Sequence, residues 1–154
     1  MKTKMQWMPA VLLAATLSLP AFAADVTVTD AWIRASVQGQ ATSGAYMTLA
    51  AREPLVLTGA STPVAAVAEV HQMRMDGDVM RMGPVEGGLK LVPGTPVELK
   101  PGGFHIMLMS LKTQLKPQTT VPLTLHFRNA AGQASDVQLS VPVATSQPMA
   151  HPHK

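Results

Sequence analysis

The protein has 154 residues, enough for one domain, and contains no cysteine. Its formal net charge is +3. Lys2 and Lys4 lie in an N-terminal segment that resembles a secretory signal, and without them the chain has ten Lys and Arg residues and nine Asp and Glu residues. This near-balance, with no basic cluster, excludes nucleic acid as a partner. The absence of cysteine excludes a thiolate nucleophile, a blue-copper site and a dithiol redox motif within the chain.

The start of the chain has the pattern of a cleaved secretory signal. Lys2 and Lys4 precede a mostly apolar run, Met8 to Leu19, and Ala21-Phe22-Ala23 supplies a small-x-small cleavage site. The run is too short to cross a membrane as a helix. We therefore expect a secreted protein that is not inserted in a membrane after residues 1–23 are removed.

Alternation of apolar and polar residues predicts short β-strands along most of the mature chain. In chain order these strands cover 25–34, 41–50, 55–61, 64–70, 89–91, 97–99, 121–129 and 133–141. Prolines and glycines separate them, and no segment has a persuasive helical period. The pattern predicts a single all-β domain, a sandwich or barrel, over residues 24–143. A flexible polar tail is expected over 144–154.

Residues 70–82 form a predicted hairpin that is unusually rich in methionine. Its two arms flank Asp76-Gly77, which is a strong turn signal. With these two residues as the loop, His71 faces Met82, and directly opposed residues point to the same face of a sheet. The hairpin therefore places an imidazole and a thioether side by side. Its arms also carry Met73, Met75 and Met80, to which we assign no role.

A loop shifted by one residue, to Gly77-Asp78, would change the pairing and place Met73 opposite Met82. We favour Asp76-Gly77 because of its turn chemistry.

A second stretch, residues 102–109, reads as a turn followed by a strand. His105, Met107 and Met109 share one of its faces. His105 and Met107 are one pleat apart, close enough to bind one ion, whereas Met109 lies a further pleat along and is expected to stay outside the site. We predict that the two stretches meet and form a metal site with two histidines and two methionines. Its ligands are His71, Met82, His105 and Met107.

Thioether and imidazole ligands without thiolate favour the soft ion Cu(I), whereas zinc and calcium prefer other donors. The competing interpretation is that the hairpin simply buries Met73, Met80 and Met82 as core filler. No Ser-His-Asp grouping, phosphate loop or suggestive pair of carboxylates is apparent, so we expect no enzyme. His126 lies on the polar face of its strand and is interpreted as structural or exposed.

The pattern of His71, ten residues, Met82 and then His105-x-Met107 resembles the motif of periplasmic copper chaperones of the PCu(A)C family. One departure is that 22 residues separate Met82 from His105, where the family motif has 21. The resemblance implies a cupredoxin-like Greek-key β-sandwich or barrel that binds Cu(I) through these four residues. It also implies delivery of copper to the dinuclear copper centre of a haem-copper oxidase, directly or through a Sco-type thiol protein.

Two other functions stay open at this point. One is a copper-resistance buffer without a specific recipient, and the other is a metal-free β-sandwich interaction module. We expect the protein to be a monomer. The tail adds one further expectation, a secondary Cu(II) site formed by Met149, His151 and His153, because imidazole suits Cu(II) and no hydrophobic periodicity explains these residues.

Overall fold

The computed structural model describes residues 22–149, and these residues form ten β-strands and no helix. The strands are β1 Val26–Arg34, β2 Thr42–Ala51, β3 Leu55–Ser61, β4 Ala65–Asp76, β5 Val79–Pro84, β6 Leu89–Leu91, β7 Val97–Leu99, β8 Phe104–Leu111, β9 Thr120–Asn129 and β10 Ala134–Ala144. The all-β prediction is confirmed. The described residues include no helix with the length and apolarity needed to span a membrane.

Seven of these strands close into a barrel in the order β4, β8, β2, β1, β10, β9 and β3. The ring closes where Ala60 of β3 pairs with Ala68 of β4. The pairing of β1 with β10 is parallel, and the other pairings in the ring are antiparallel. β5 extends the sheet outward from β4 as the second arm of a hairpin. The site described below lies where this hairpin meets β8.

The core fills the barrel with residues that alternate along each strand. In β9, Leu123, Leu125 and Phe127 are buried, as the alternation predicts. In β8, Ile106 and Leu108 point into the same core. Because successive side chains of a strand point to opposite faces, this packing turns His105, Met107 and Met109 outward.

The loop between β4 and β5 consists of Gly77-Asp78, so the predicted loop at Asp76-Gly77 is wrong. Gly77 has a φ of +63°, whereas Asp78 is not in the left-handed region. A glycine with positive φ at the first loop position is the pattern of a type II′ turn, which matches the twist of the flanking strands. Gly77 is therefore the first residue of the observed loop, whereas it would be the second residue of a loop at Asp76-Gly77.

This register changes which residues oppose each other in the hairpin. Met73 lies opposite Met82, as the alternative loop predicts, and His71 lies opposite Pro84. The two possible pairings differ by two residues along one strand, and side chains two residues apart share a face. Each side chain therefore keeps the face that the sequence predicts for it, although its direct partner changes.

Candidate metal centre

The two predicted histidine ligands lie side by side on the outer face of the barrel. His71 of β4 is directly opposite His105 of β8, with ring centroids 6.0 Å apart. Their sequence neighbours Val70 and Ile106 point the other way, into the core. Both imidazoles are nevertheless buried, at 8% and 6% exposed. Neighbouring side chains on the outer face must therefore cover them.

A cleft of about 280 Å³ gathers most of the predicted ligands. Met82, His105 and Met107 line it, whereas His71 is adjacent to His105 without lining the cleft. Met73 lines it as well, as a result of the observed register. The remaining lining residues are Arg34, Gln40, Thr42, Ser43, Gly44, Tyr46, Pro101 and Gly102. Thioether sulfur and imidazole nitrogen thus meet in one solvent-connected space.

His105 and Met82 are in direct contact, with 3.1 Å between Nε2 and Sδ. The Nδ1 of His105 lies 3.2 Å from the carbonyl oxygen of Gly103. A carbonyl can only accept, so Nδ1 carries the proton and Nε2 presents a lone pair. Two lone-pair donors, one nitrogen and one sulfur, therefore face each other. A soft cation can bind both donors at once.

The Gly103 carbonyl holds two parts of the site in register. It accepts hydrogen bonds from the Nδ1 of His105 and from the backbone N–H of Met73, at 3.2 and 3.3 Å. The turn that presents it is closed by a hydrogen bond from Gly103 N to Lys100 O, and Gly102 has a φ of +84°. The turn before β8 therefore fixes the ring of His105 and the adjacent segment of β4 together.

Burial lowers the pKa of His105 from its ordinary value of 6.5. The hydrogen bond to Gly103 raises this pKa in part, and the nearby His71 lowers it again. Desolvation disfavours the imidazolium because its charge loses the hydration that it has in water. The ring of His105 is therefore neutral at physiological pH, which is the form that binds a metal ion.

His71 is oriented by a carboxylate and has a free nitrogen. Its Nε2 donates to Oε2 of Glu69 at 3.0 Å, which leaves the lone pair on Nδ1. That Nδ1 is one of two buried side-chain polar atoms in residues 22–149 without a hydrogen-bond partner. Unpaired buried polar atoms are costly and call for an explanation. A metal ligand whose other nitrogen is held by a carboxylate fits both observations.

We expect Glu69→Ala to lower Cu(I) affinity by about tenfold, the lower end of the range for partners that orient metal ligands, because Glu69 is half exposed. Glu69→Gln keeps an acceptor for the Nε2–H of His71 and should lose less. Competition with a chromophoric Cu(I) chelator measures both variants. Equal affinities for the Ala variant and the unmodified protein would contradict this role of Glu69.

Sequence reasoning missed the residues that border the site from β1 and β2. The ring of Tyr46 lies 6.4 Å from that of His105 and 4.7 Å from that of Trp32. Arg34 places its guanidinium 5.6 Å from the centre of the Tyr46 ring. A Cβ on Gly44 would lie 2.5 Å from the Tyr46 hydroxyl. The one available signal was Gly44 itself, because glycine inside a strand indicates a close approach.

A hydrogen-bonded Ser-His-Asp chain lies elsewhere on the barrel, so the expectation of no such grouping is wrong. His126 Nδ1 is 2.7 Å from Asp136 Oδ1, and His126 Nε2 is 3.0 Å from Ser61 Oγ. The side chains of His126 and Asp136 are 36% and 58% exposed. A hydrolytic triad uses a buried carboxylate, so we assign no catalytic role to this chain. It links β3, β9 and β10 across the sheet surface.

Three other predicted features lie outside the cleft or outside the described residues. Met109 is half buried and pairs with Thr42 and Val67, away from the cleft lining, as predicted. Met149 is 90% exposed. His151 and His153, and residues 1–21 of the expected signal, lie outside the part of the chain that the structure describes. Within residues 22–149, no three His, Asp or Glu side chains cluster as a metal site.

The sequence and fold have identifiable relatives. The family "Putative lipoprotein LpqE-like" matches residues 26–143. "Putative lipoprotein Lxx21020" of Leifsonia xyli subsp. xyli is 30% identical over 133 residues, which cover 86% of this chain and 79% of that protein.

Among solved structures, the apo PCuAC domain of PmoF1 superposes with a TM-score of 0.59 at 18% identity, covering 80% of this chain and 98% of that domain. The copper-bound PCuAC domain of PmoF2 superposes with a TM-score of 0.58 at 19% identity, and the match covers 82% of this chain and 100% of that domain. Apo-DR1885 of Deinococcus radiodurans superposes with a TM-score of 0.51 at 29% identity, and the match covers 94% of this chain and 96% of that protein. The predicted cupredoxin-like fold is confirmed, with the architecture of PCuAC domains. The chain belongs to the LpqE-like family.

Proposed function

We propose that this protein is a periplasmic copper carrier that binds Cu(I) through His71, Met82, His105 and Met107. The observation that carries the proposal is the cleft in which a neutral imidazole and three thioethers meet, beside a buried imidazole nitrogen that has no hydrogen-bond partner. The fold it shares with PCuAC domains, one of them copper-bound in PmoF2, supports the same function.

The chemistry of these donors suits transport better than catalysis. All four ligands are neutral, so the bound ion keeps a charge near +1, and thioether ligands favour Cu(I). Met82 is 47% exposed, so a partner can reach it and replace one ligand at a time. Four protein donors also leave no open position of the kind that catalytic metals use to activate water. The site therefore holds an ion and can release it to a competing ligand.

We propose that the recipient is the dinuclear copper centre of a haem-copper oxidase, reached directly or through a Sco-type thiol protein. A thiolate binds Cu(I) more strongly than a thioether, so transfer from this site to a thiol protein is downhill. Loss of oxidase copper in a deletion strain, restored by the intact gene but not by the Met82→Leu variant, is the expected result. Normal oxidase copper with raised copper sensitivity would favour the resistance buffer, and no copper binding at all would favour the metal-free module.

The observed register gives Met73 a role in copper binding that the predicted register did not assign to it. Met73 lines the cleft opposite Met82, but Met82 is the sulfur in contact with His105. We expect Met73→Leu to weaken Cu(I) binding measurably, with a smaller loss than Met82→Leu. Chelator competition measures both variants under identical conditions. An affinity for Met73→Leu equal to that of Met109→Leu would show that Met73 does not contribute.

A further inference from the structure

The hairpin of β4 and β5 carries a second pair of thioethers beyond the cleft. Met75 lies directly opposite Met80, one pleat along from the pair of Met73 and Met82. Residues two apart on a strand share a face, so both pairs point to the face that bears His105. Directly opposed Cβ atoms are about 4.5–5.5 Å apart. The hairpin thus presents an inner thioether pair at the cleft and an outer pair near its tip.

Packing does not explain the outer pair. Met75 is 60% exposed and Met80 is 52% exposed. Methionine that fills a core is buried, so the interpretation of Met80 as core filler is wrong, and Met75 is not core filler either. β5 is also at the edge of the sheet, with no strand of residues 22–149 on its other side. The outer pair is therefore open to an ion or a partner.

The cationic side chains of the hairpin lie on its other face. Arg74 and Arg81 oppose each other on the other face of the hairpin, and Arg81 Nε lies 2.8 Å from Asp76 Oδ2 there. Alternation along the strands separates these charges from the methionines. The outer pair is consequently a neutral, sulfur-bearing surface, and no cationic side chain of the hairpin shares its face.

We propose that Met75 and Met80 form a second and weaker Cu(I) site, and that copper passes through it on the way to and from the cleft. The inference rests on the proposed function. Thioethers bind soft Cu(I), but the outer pair offers two sulfurs where the cleft offers imidazoles as well. Passage into the cleft breaks the copper–sulfur bonds to Met75 and Met80 and forms bonds to the thioethers and neutral imidazoles of the cleft, so the charge stays constant. No proton is released, because thioethers do not need to be deprotonated.

The test uses the purified full chain with ¹³C-labelled methionine methyl groups, titrated with Cu(I) without oxygen. We expect the first equivalent to shift the methyl signals of Met82 and Met107, and a second equivalent to shift those of Met75 and Met80. The double variant M75L/M80L should keep the first event and lose the second. It should also release copper to a chromophoric chelator more slowly. The matched control Met109→Leu should keep both events and the original rate.

The outcomes separate this inference from the proposed function. A second equivalent bound equally by M75L/M80L, or no second event in the unmodified protein, would overturn the outer site and leave the cleft site standing. An unchanged release rate in the double variant would overturn the passage role. No binding of the first equivalent would overturn the proposed function and this inference together. Thermal unfolding checks folding, which exposed Met-to-Leu replacements should preserve.

Discussion

Replacing Met82 with leucine is expected to lower Cu(I) affinity by more than about 100-fold, because losing a ligand should exceed the range for losing a partner that only orients one. The sulfur of Met82 is the one in contact with His105, and leucine fills similar volume without a lone pair. Met82 is about half exposed, so the change should cost less than about 1.5 kcal/mol of folding stability. Competition with a chromophoric Cu(I) chelator measures the affinity.

Met109→Leu is the matched control for this variant. It removes a thioether from the same face of the sheet but from outside the cleft lining. We expect its affinity to equal that of the unmodified protein. Indistinguishable affinities for Met82→Leu and Met109→Leu would show that Met82 is not a ligand, because the two changes have the same chemistry and differ only in place.

Cu(I) affinity is expected to fall as the pH drops through and below the ordinary histidine range, about 6.5, because protons compete with copper for imidazole. Burial lowers the pKa of His105, so protons begin to displace copper from this ring only below the ordinary histidine range. Below that pKa, one competing imidazole costs about tenfold in affinity for each pH unit. The lowered pKa of His105 also contributes stability to the apo protein that is fully present above about 6.5 and is lost as the pH falls through the lowered pKa, since the unfolded chain then binds more protons.

A thioether control isolates the histidine contribution to this dependence. Met82→Leu should lower affinity at every pH without changing the slope, because thioethers do not titrate. His105→Gln should reduce the slope in the acidic range. Chelator competition between pH 5 and 8 gives both slopes. A steep dependence that continued above neutral pH would require another titrating ligand and would contradict the proposed set.

Most of the fold was predictable because alternation marks strands whose inward faces are buried. Leu123, Leu125 and Phe127 alternate with polar residues, and the structure buries all three. Closure of the barrel was not predictable in detail. It depends on pairings between distant segments, such as the parallel contact of β1 with β10, and alternation within one strand carries no information about its neighbour.

The candidate site was likewise predictable only in part. The face of each hairpin residue follows from alternation and was predicted correctly. The direct partner of Met82 depends on the loop, where Asp76-Gly77 and Gly77-Asp78 are both plausible turns, and the preferred choice was wrong. The placement of Tyr46 and Arg34 beside the cleft depends on the packing of β1, β2 and β8, which no local pattern encodes.

X-ray absorption spectroscopy of the Cu(I)-loaded protein tests the central claim most directly, because it reports the atoms bound to copper. The proposed set predicts a copper shell of two imidazole nitrogens, from His71 and His105, and two thioether sulfurs, from Met82 and Met107. In Met82→Leu the sulfur contribution should fall while the imidazole signal stays. A shell of sulfur without imidazole, or of nitrogen and oxygen without sulfur, would contradict the account.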